Sequence, residues 1–252
     1  VDEQIDRSVG LGEASLDRRD PLIAQQVGRQ RLDVHAVRVL QLGGGAGVAL
    51  GDVGHRLEAR QPVDEVEQVR VALDLGRDDF FILGHSWGGL LGIEYALTHG
   101  GHLKGLIVSN MMSSIPEYNR YATDVFMPSM DQTALARIKE LEASEQFSDP
   151  EYEELLMEHH YVHHVLRMPA DQWPEPVTRS FGNINQAVYV PMQGPSELGA
   201  SGLLVDWDRF GDLPSIDVPT LVISAEHDAM APAHMRAMAE ALPQGQIGRA
   251  HV

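Results

Sequence analysis

A chain of 252 residues, 43% of them apolar, is long enough for one large α/β domain, alone or with an insertion. Its net charge of −18 argues against a nucleic-acid surface, and the absence of cysteine excludes disulfides and thiolate chemistry. No apolar run approaches the roughly 18 residues of a membrane span and no secretory signal is visible, so no membrane partner is implied and a cytoplasmic location is expected, with Val1 rather than Met at the start.

The first 61 residues stand apart. They hold 9 acidic and 8 basic side chains, so nearly all the negative charge lies beyond them, and the first aromatic residue is Phe80. From Val1 to Gln61 there is no strand with clean alternation and no well-capped helix. Val37–Leu50 (VRVLQLGGGAGVAL) offers a strand leading into a glycine loop, read as a flexible stretch because no G-x-G-x-x-G helix start or Walker lysine follows. Residues 1–61 are therefore unassigned, and a chimeric join or a wrong reading frame is the expectation. Early strands missing there would leave the next strand without a neighbour.

From Pro62 the texture changes. Val63–Leu75 has apolar residues at 63, 66, 69, 71 and 73, the pattern of an amphipathic helix. Gly76–Asp79 is a turn, Phe80–Leu83 a short buried strand, and Gly88–Thr98 a helix ended by Gly100 and Gly101. Leu103–Ser109 is the next strand. Residues 62–110 thus form the first part of a doubly wound, mostly parallel sheet. Residues 111–204 break this rhythm as a helical cap, with helices at Thr133–Glu145 and from the Ser148-Asp149-Pro150-Glu151 start to about Met168. Residues 205–246 return to the core, with a strand at Pro219–Ser224 and a helix at Pro232–Leu242.

Between strand and helix lies Gly84-His85-Ser86-Trp87-Gly88-Gly89, a G-x-S-x-G nucleophile elbow in its proper context. A serine on so tight a turn is held clear of the sheet, and the flanking glycines avoid collisions within the turn. Ser86 needs a general base, and a carboxylate to orient that base. Asp228 follows the strand ending at Ser224 and is read as that carboxylate, because parallel sheets place their sites at the carboxyl ends of strands. The N–H of Trp87 would supply one oxyanion donor. The base is harder to find. His85 is read as structural and His227 as misdirected. The pairs His159-His160 and His163-His164 read as a polar cap face rather than a metal site. His251 and His234 are the histidines after Asp228.

From about Val63 to Gln246 the sequence resembles the proline iminopeptidases, serine peptidases of the α/β-hydrolase fold. The shared elements are GHSWGG, Ser109-Asn110-Met111-Met112 with Ile115-Pro116-Glu117-Tyr118, and Val188 to Glu197 with its M-Q-G-P-x-E element. The resemblance implies that Glu197 holds the substrate's N-terminal amine, that the substrates are short peptides with a free N-terminus, and that no cofactor or metal takes part. Three departures stand out. Ala229 occupies the place of a second amine-binding glutamate, the family's His-Gly-Gly-Pro-Gly loop is absent upstream, and the family histidine would fall just past Val252. Ile247–Val252 (IGRAHV) reads as the translation of a sequencing adapter, which would make His251 an artefact; a displaced catalytic histidine is the alternative. The expected activity is that of a serine aminopeptidase releasing N-terminal proline or a small residue, absent from this literal chain for want of its base. An amidase or esterase of the same fold, or a fragment without catalytic function, is the alternative.

Overall fold

A computed structural model describes residues 38–42 and 60–249, with the side chains of 38–42, 60 and 61 left aside. The glycine run Gly43–Gly45 and His251 lie outside these residues. Five parallel strands form one sheet in sequential order: β1 (Arg38–Leu42), β2 (Phe80–His85), β3 (Gly105–Ser109), β4 (Thr220–Ser224) and β5 (Gly245–Arg249). Helix α1 (Arg60–Ala72) leads into β2, α2 (Trp87–His99) joins β2 to β3, and α8 (Pro232–Ala241) joins β4 to β5.

Two edges of the sheet differ from the sequence expectation. β1 falls within Val37–Leu50 and pairs along β2, from Arg38 opposite Phe80 to Leu42 opposite Gly84. The candidate strand in that stretch is therefore a real one, and the elbow strand is not left without a neighbour as expected. At the other edge, Ile247–Arg249 complete β5, with Val222 opposite Ile247 and Ser224 opposite Arg249. Parallel pairing is made by the main chain, so the side chains of that segment carry little of the signal.

The sheet buries one face. Ile82, Leu106 and Val222 are almost fully buried on this face, and α2 covers the first two, since a Cβ on its Gly92 would touch Leu106 and Ile82. The opposite face carries Phe81, Leu83, Ile107, Leu221 and Ile223, all half-buried. Alternate residues of a strand point to opposite faces, so this follows from the pleat.

Between β3 and β4 the chain makes a helical excursion: α3 (Ile115–Tyr121), α4 (Gln132–Ala143), α5 (Pro150–Leu156), α6 (Glu175–Gly182) and α7 (Gln186–Gln193), with shorter turns between. Asp131 and Asp149 cap α4 and α5 through their carboxylates, on the amides of Ala134 and Glu151. A π turn at Met157–Tyr161 carries α5 on to His164.

The ends of the excursion are tied together. Ser114 and Asp208 form a backbone bridge, Arg209 N–H donates to Ser113 O at 2.7 Å, and Ile115 N–H donates to Trp207 O at 2.8 Å. Glu94, buried on α2, fixes this knot to the core: its carboxylate accepts from Trp207 Nε1 at 2.7 Å and Arg209 Nε at 2.6 Å. Arg209 is partly solvated, so removing Glu94 mainly leaves the Trp207 indole N–H without its acceptor. Glu94→Ala is expected to destabilise the fold by about 1–2 kcal/mol, read from the shift of the urea midpoint; an unchanged midpoint would show that the knot contributes nothing.

Candidate active site

Ser86 sits between β2 and α2 with φ 52° and ψ −128°, a left-handed conformation that a serine adopts only under constraint. The constraint is visible. Ser86 N–H donates to Ser109 O at 2.9 Å, and Ser86 O accepts from Gly89 N–H at 2.7 Å. The glycines leave the necessary room: a Cβ on Gly84 would lie 2.1 Å from Gly88 O, and one on Gly89 would lie 2.7 Å from Met111 Cβ. Trp87 is the first residue of a 13-residue helix, so its N–H has no intrahelical acceptor and lies at the positive end of the helix dipole. Its indole is partly buried against the core, and Nε1 is buried without a partner.

Ser86, Trp87, Asp228 and Glu197 all open on one cavity of about 300 Å³. The core supplies its floor and the helical excursion its roof, through Phe181, Val188, Tyr189 and Met192 among others. Among the described lining residues the acids are Glu197 and Asp228, and none is lysine or arginine. A cavity with apolar walls and two carboxyls favours a ligand that is part apolar and part cationic.

Asp228 is buried in the loop after β4. One oxygen accepts from Met230 N–H at 3.1 Å, and the other accepts from Asn110 Nδ2 in a short hydrogen bond. Burial pushes its pKa up, opposed by these hydrogen bonds and by the nearby His85. Asn110 follows β3, and φ 52° places it in the left-handed region. Sequence reasoning missed it, although the rule that selects Asp228, a polar residue just beyond a parallel strand, selects Asn110 equally well.

Glu197 sits in the loop after α7. Tyr189 OH donates to its carboxylate at 2.5 Å, while Tyr118 OH (2.5 Å) and His160 Nε2 (3.1 Å) bond its main-chain carbonyl. Burial raises the pKa of Glu197, and the Tyr189 hydrogen bond partly opposes this. The folded state thus binds protons at Glu197 and Asp228 more readily than the unfolded chain does. Stability from these two groups is full below their unfolded pKa values and is lost as the pH rises through the raised ones.

The histidines separate. His85 opens on the cavity, whose walls take part of the water from its ring and so lower its pKa against the pull of Asp228. His160 is fully buried under Glu197, with its pKa pushed down to about 4, chiefly by burial. His164 lines the cavity, and its Nδ1 lies 3.4 Å from the carbonyl of His227, which is itself exposed. His234 is engaged with Ser113 Oγ at 3.2 Å. Among the described residues, no imidazole hydrogen-bonds Ser86 or Asp228, and the cap histidines form no cluster of three metal ligands.

The sequence profile of the alpha/beta hydrolase family matches residues 14–252. A proline iminopeptidase from Chitinophaga pinensis is 45% identical over 207 residues, 82% of this chain and 69% of that protein. Another, from Flavobacterium johnsoniae, is 44% identical over 184 residues, 73% of this chain and 61% of that protein. The crystal structure of a proline iminopeptidase from Mycobacterium smegmatis superposes with a TM-score of 0.63 at 30% identity, covering 74% of this chain and 61% of that one. The chain therefore spans between 61% and 69% of the length of these relatives.

Proposed function

The chain belongs to the alpha/beta hydrolase family and, within it, to the proline iminopeptidases, and from that premise we propose that it binds a short peptide by its free N-terminal amine for cleavage after the first residue. The observation that carries this reading is the shared cavity, which an elbow serine and the carboxylate of Glu197 both line among apolar side chains. Glu197 pairs with the ammonium group, and the adjoining apolar wall receives a proline ring or a small side chain. That pose brings the first peptide carbonyl to Ser86, with Trp87 N–H on the developing oxyanion. Asp228 is the carboxylate that orients the base, and the base is the one member absent from the described residues.

Tyr189 already occupies one oxygen of Glu197, which leaves the other for the ligand. Binding needs Glu197 ionised, and burial has raised its pKa, so affinity falls as the pH drops through that raised value. By calorimetry, L-prolinamide is expected to bind at pH 7.5 and to bind progressively more weakly as the pH is lowered. Glu197→Gln should weaken binding at pH 7.5 by about 30-fold or more, since stranding a buried charge costs 2–5 kcal/mol. N-acetyl-L-prolinamide, which lacks the cation, should not bind. Equal binding of the acetylated compound would sink the aminopeptidase reading.

That outcome would instead favour an amidase or esterase of the same fold, for which one observation speaks. Ala229, buried beside Asp228 in the cavity lining, holds the place of the second amine-binding glutamate.

A further inference from the structure

On the far side of α2 from Ser86, three potential ligands converge. Glu67 lies on α1, His99 is the last residue of α2, and His102 ends the turn Gly100–His102 that leads to β3. One ligand atom from each lies within 4.8 Å of the others. His102 Nδ1 is 3.3 Å from the Glu67 carboxylate, and the two imidazoles stack at 5.8 Å between centroids with 12° between planes. His99 Nε2 is buried and has no hydrogen-bond partner. Nothing in the proposed hydrolase reading uses these residues, and a buried ring nitrogen without a partner calls for an explanation.

We propose that Glu67, His99 and His102 form a binding site for a zinc-class divalent transition ion, distinct from the catalytic cavity. Two neutral imidazoles and a carboxylate are the ligand set that zinc accepts, with water in the fourth position. Bonds of 2.0–2.1 Å in a tetrahedron put ligand atoms about 3.3 Å apart, the separation already found between His102 and Glu67. Closing the site requires the His99 ring to approach the other two. The carboxylate is also supported from behind: Arg70 donates Nε to Oε2 at 2.8 Å and Nη2 to Oε1 at 2.7 Å, and Tyr95 OH donates to Oε2 at 2.5 Å. Such outer partners fix a ligating carboxylate in place, while the Arg70 charge tempers the affinity. The ion would clamp α1 to the end of the helix whose other end carries the nucleophile.

The test is calorimetry and thermal unfolding of the tag-free 252-residue protein with zinc chloride. One site of micromolar affinity and a higher melting temperature are expected. His102→Gln, at an exposed position, should weaken zinc binding at least 10-fold while circular dichroism stays that of the parent, and His99→Gln should do the same. A His159→Gln, His163→Gln double variant on the cap should bind as the parent does. Absence of binding at 1 mM zinc, unchanged affinity in His102→Gln, or loss in the cap variant instead would each overturn the proposal.

Discussion

Purified as its 252 residues, the protein is expected to bind L-prolinamide yet hydrolyse a proline arylamide about 10⁶-fold more slowly than a family member with a complete triad. The physical ground is the state of Asp228. Its oxygens accept from the amide of Met230 and from Asn110, and among the described residues no imidazole bridges it to Ser86. An unassisted serine hydroxyl is a weak nucleophile at neutral pH. The neighbouring histidines are committed elsewhere: His164 to the His227 carbonyl, His234 to Ser113, His160 to the Glu197 carbonyl. His85 opens on the cavity and feels the charge of Asp228, but it precedes Ser86 directly in the elbow. Robust arylamide hydrolysis that Ser86→Ala abolishes would overturn this expectation. A parallel His251→Ala variant would then decide whether that residue is the base.

The second large effect concerns the elbow itself. Gly84→Ala is expected to cost more than about 4 kcal/mol, at the edge of what single substitutions do. The added Cβ would stand 2.1 Å from Gly88 O, 2.4 Å from Gly88 C and 2.7 Å from Gly89 N. All three are main-chain atoms of the turn and of the helix it starts, so no side-chain rotation can relieve the overlap. The strand must separate from the helix, and Ser86 loses the turn that forces its positive φ. Gly76→Ala is the control, because a Cβ there meets nothing within 4 Å, and it should stay within about 0.5 kcal/mol of the parent. Urea unfolding followed by circular dichroism measures both. Equal midpoints for the two variants would show that the turn yields more cheaply than its packing implies.

Local signals in the sequence located most of the elements. The 3.6-residue period of Val63–Leu75 marks α1, and the asparate-proline start at Asp149 marks α5 through a capping bond seen in the structure. The elbow was legible because strand, glycines and helix stand within one short window. β1 was legible only as a candidate within Val37–Leu50, because Arg38 and Gln41 interrupt the apolar run of its five residues and leave no clean alternation. The long-range partners were equally hidden. Asn110 and Asp228 are 118 residues apart, and Glu94 and Arg209 are 115 apart. No window along the chain contains either pair; the fold alone makes them neighbours. Tyr189 is closer, 8 residues before Glu197, yet its role depends on the turn of the chain after α7.

The bridge between Ser114 and Asp208 bears on how this architecture diversifies. Because the excursion leaves and re-enters at one point, the span between those residues behaves as a closed loop hung on the core. Once its ends are pinned, lengthening such a loop adds only a slowly growing entropic penalty. The roof of the cavity can therefore be enlarged, shortened or exchanged while the elbow and the sheet keep their register.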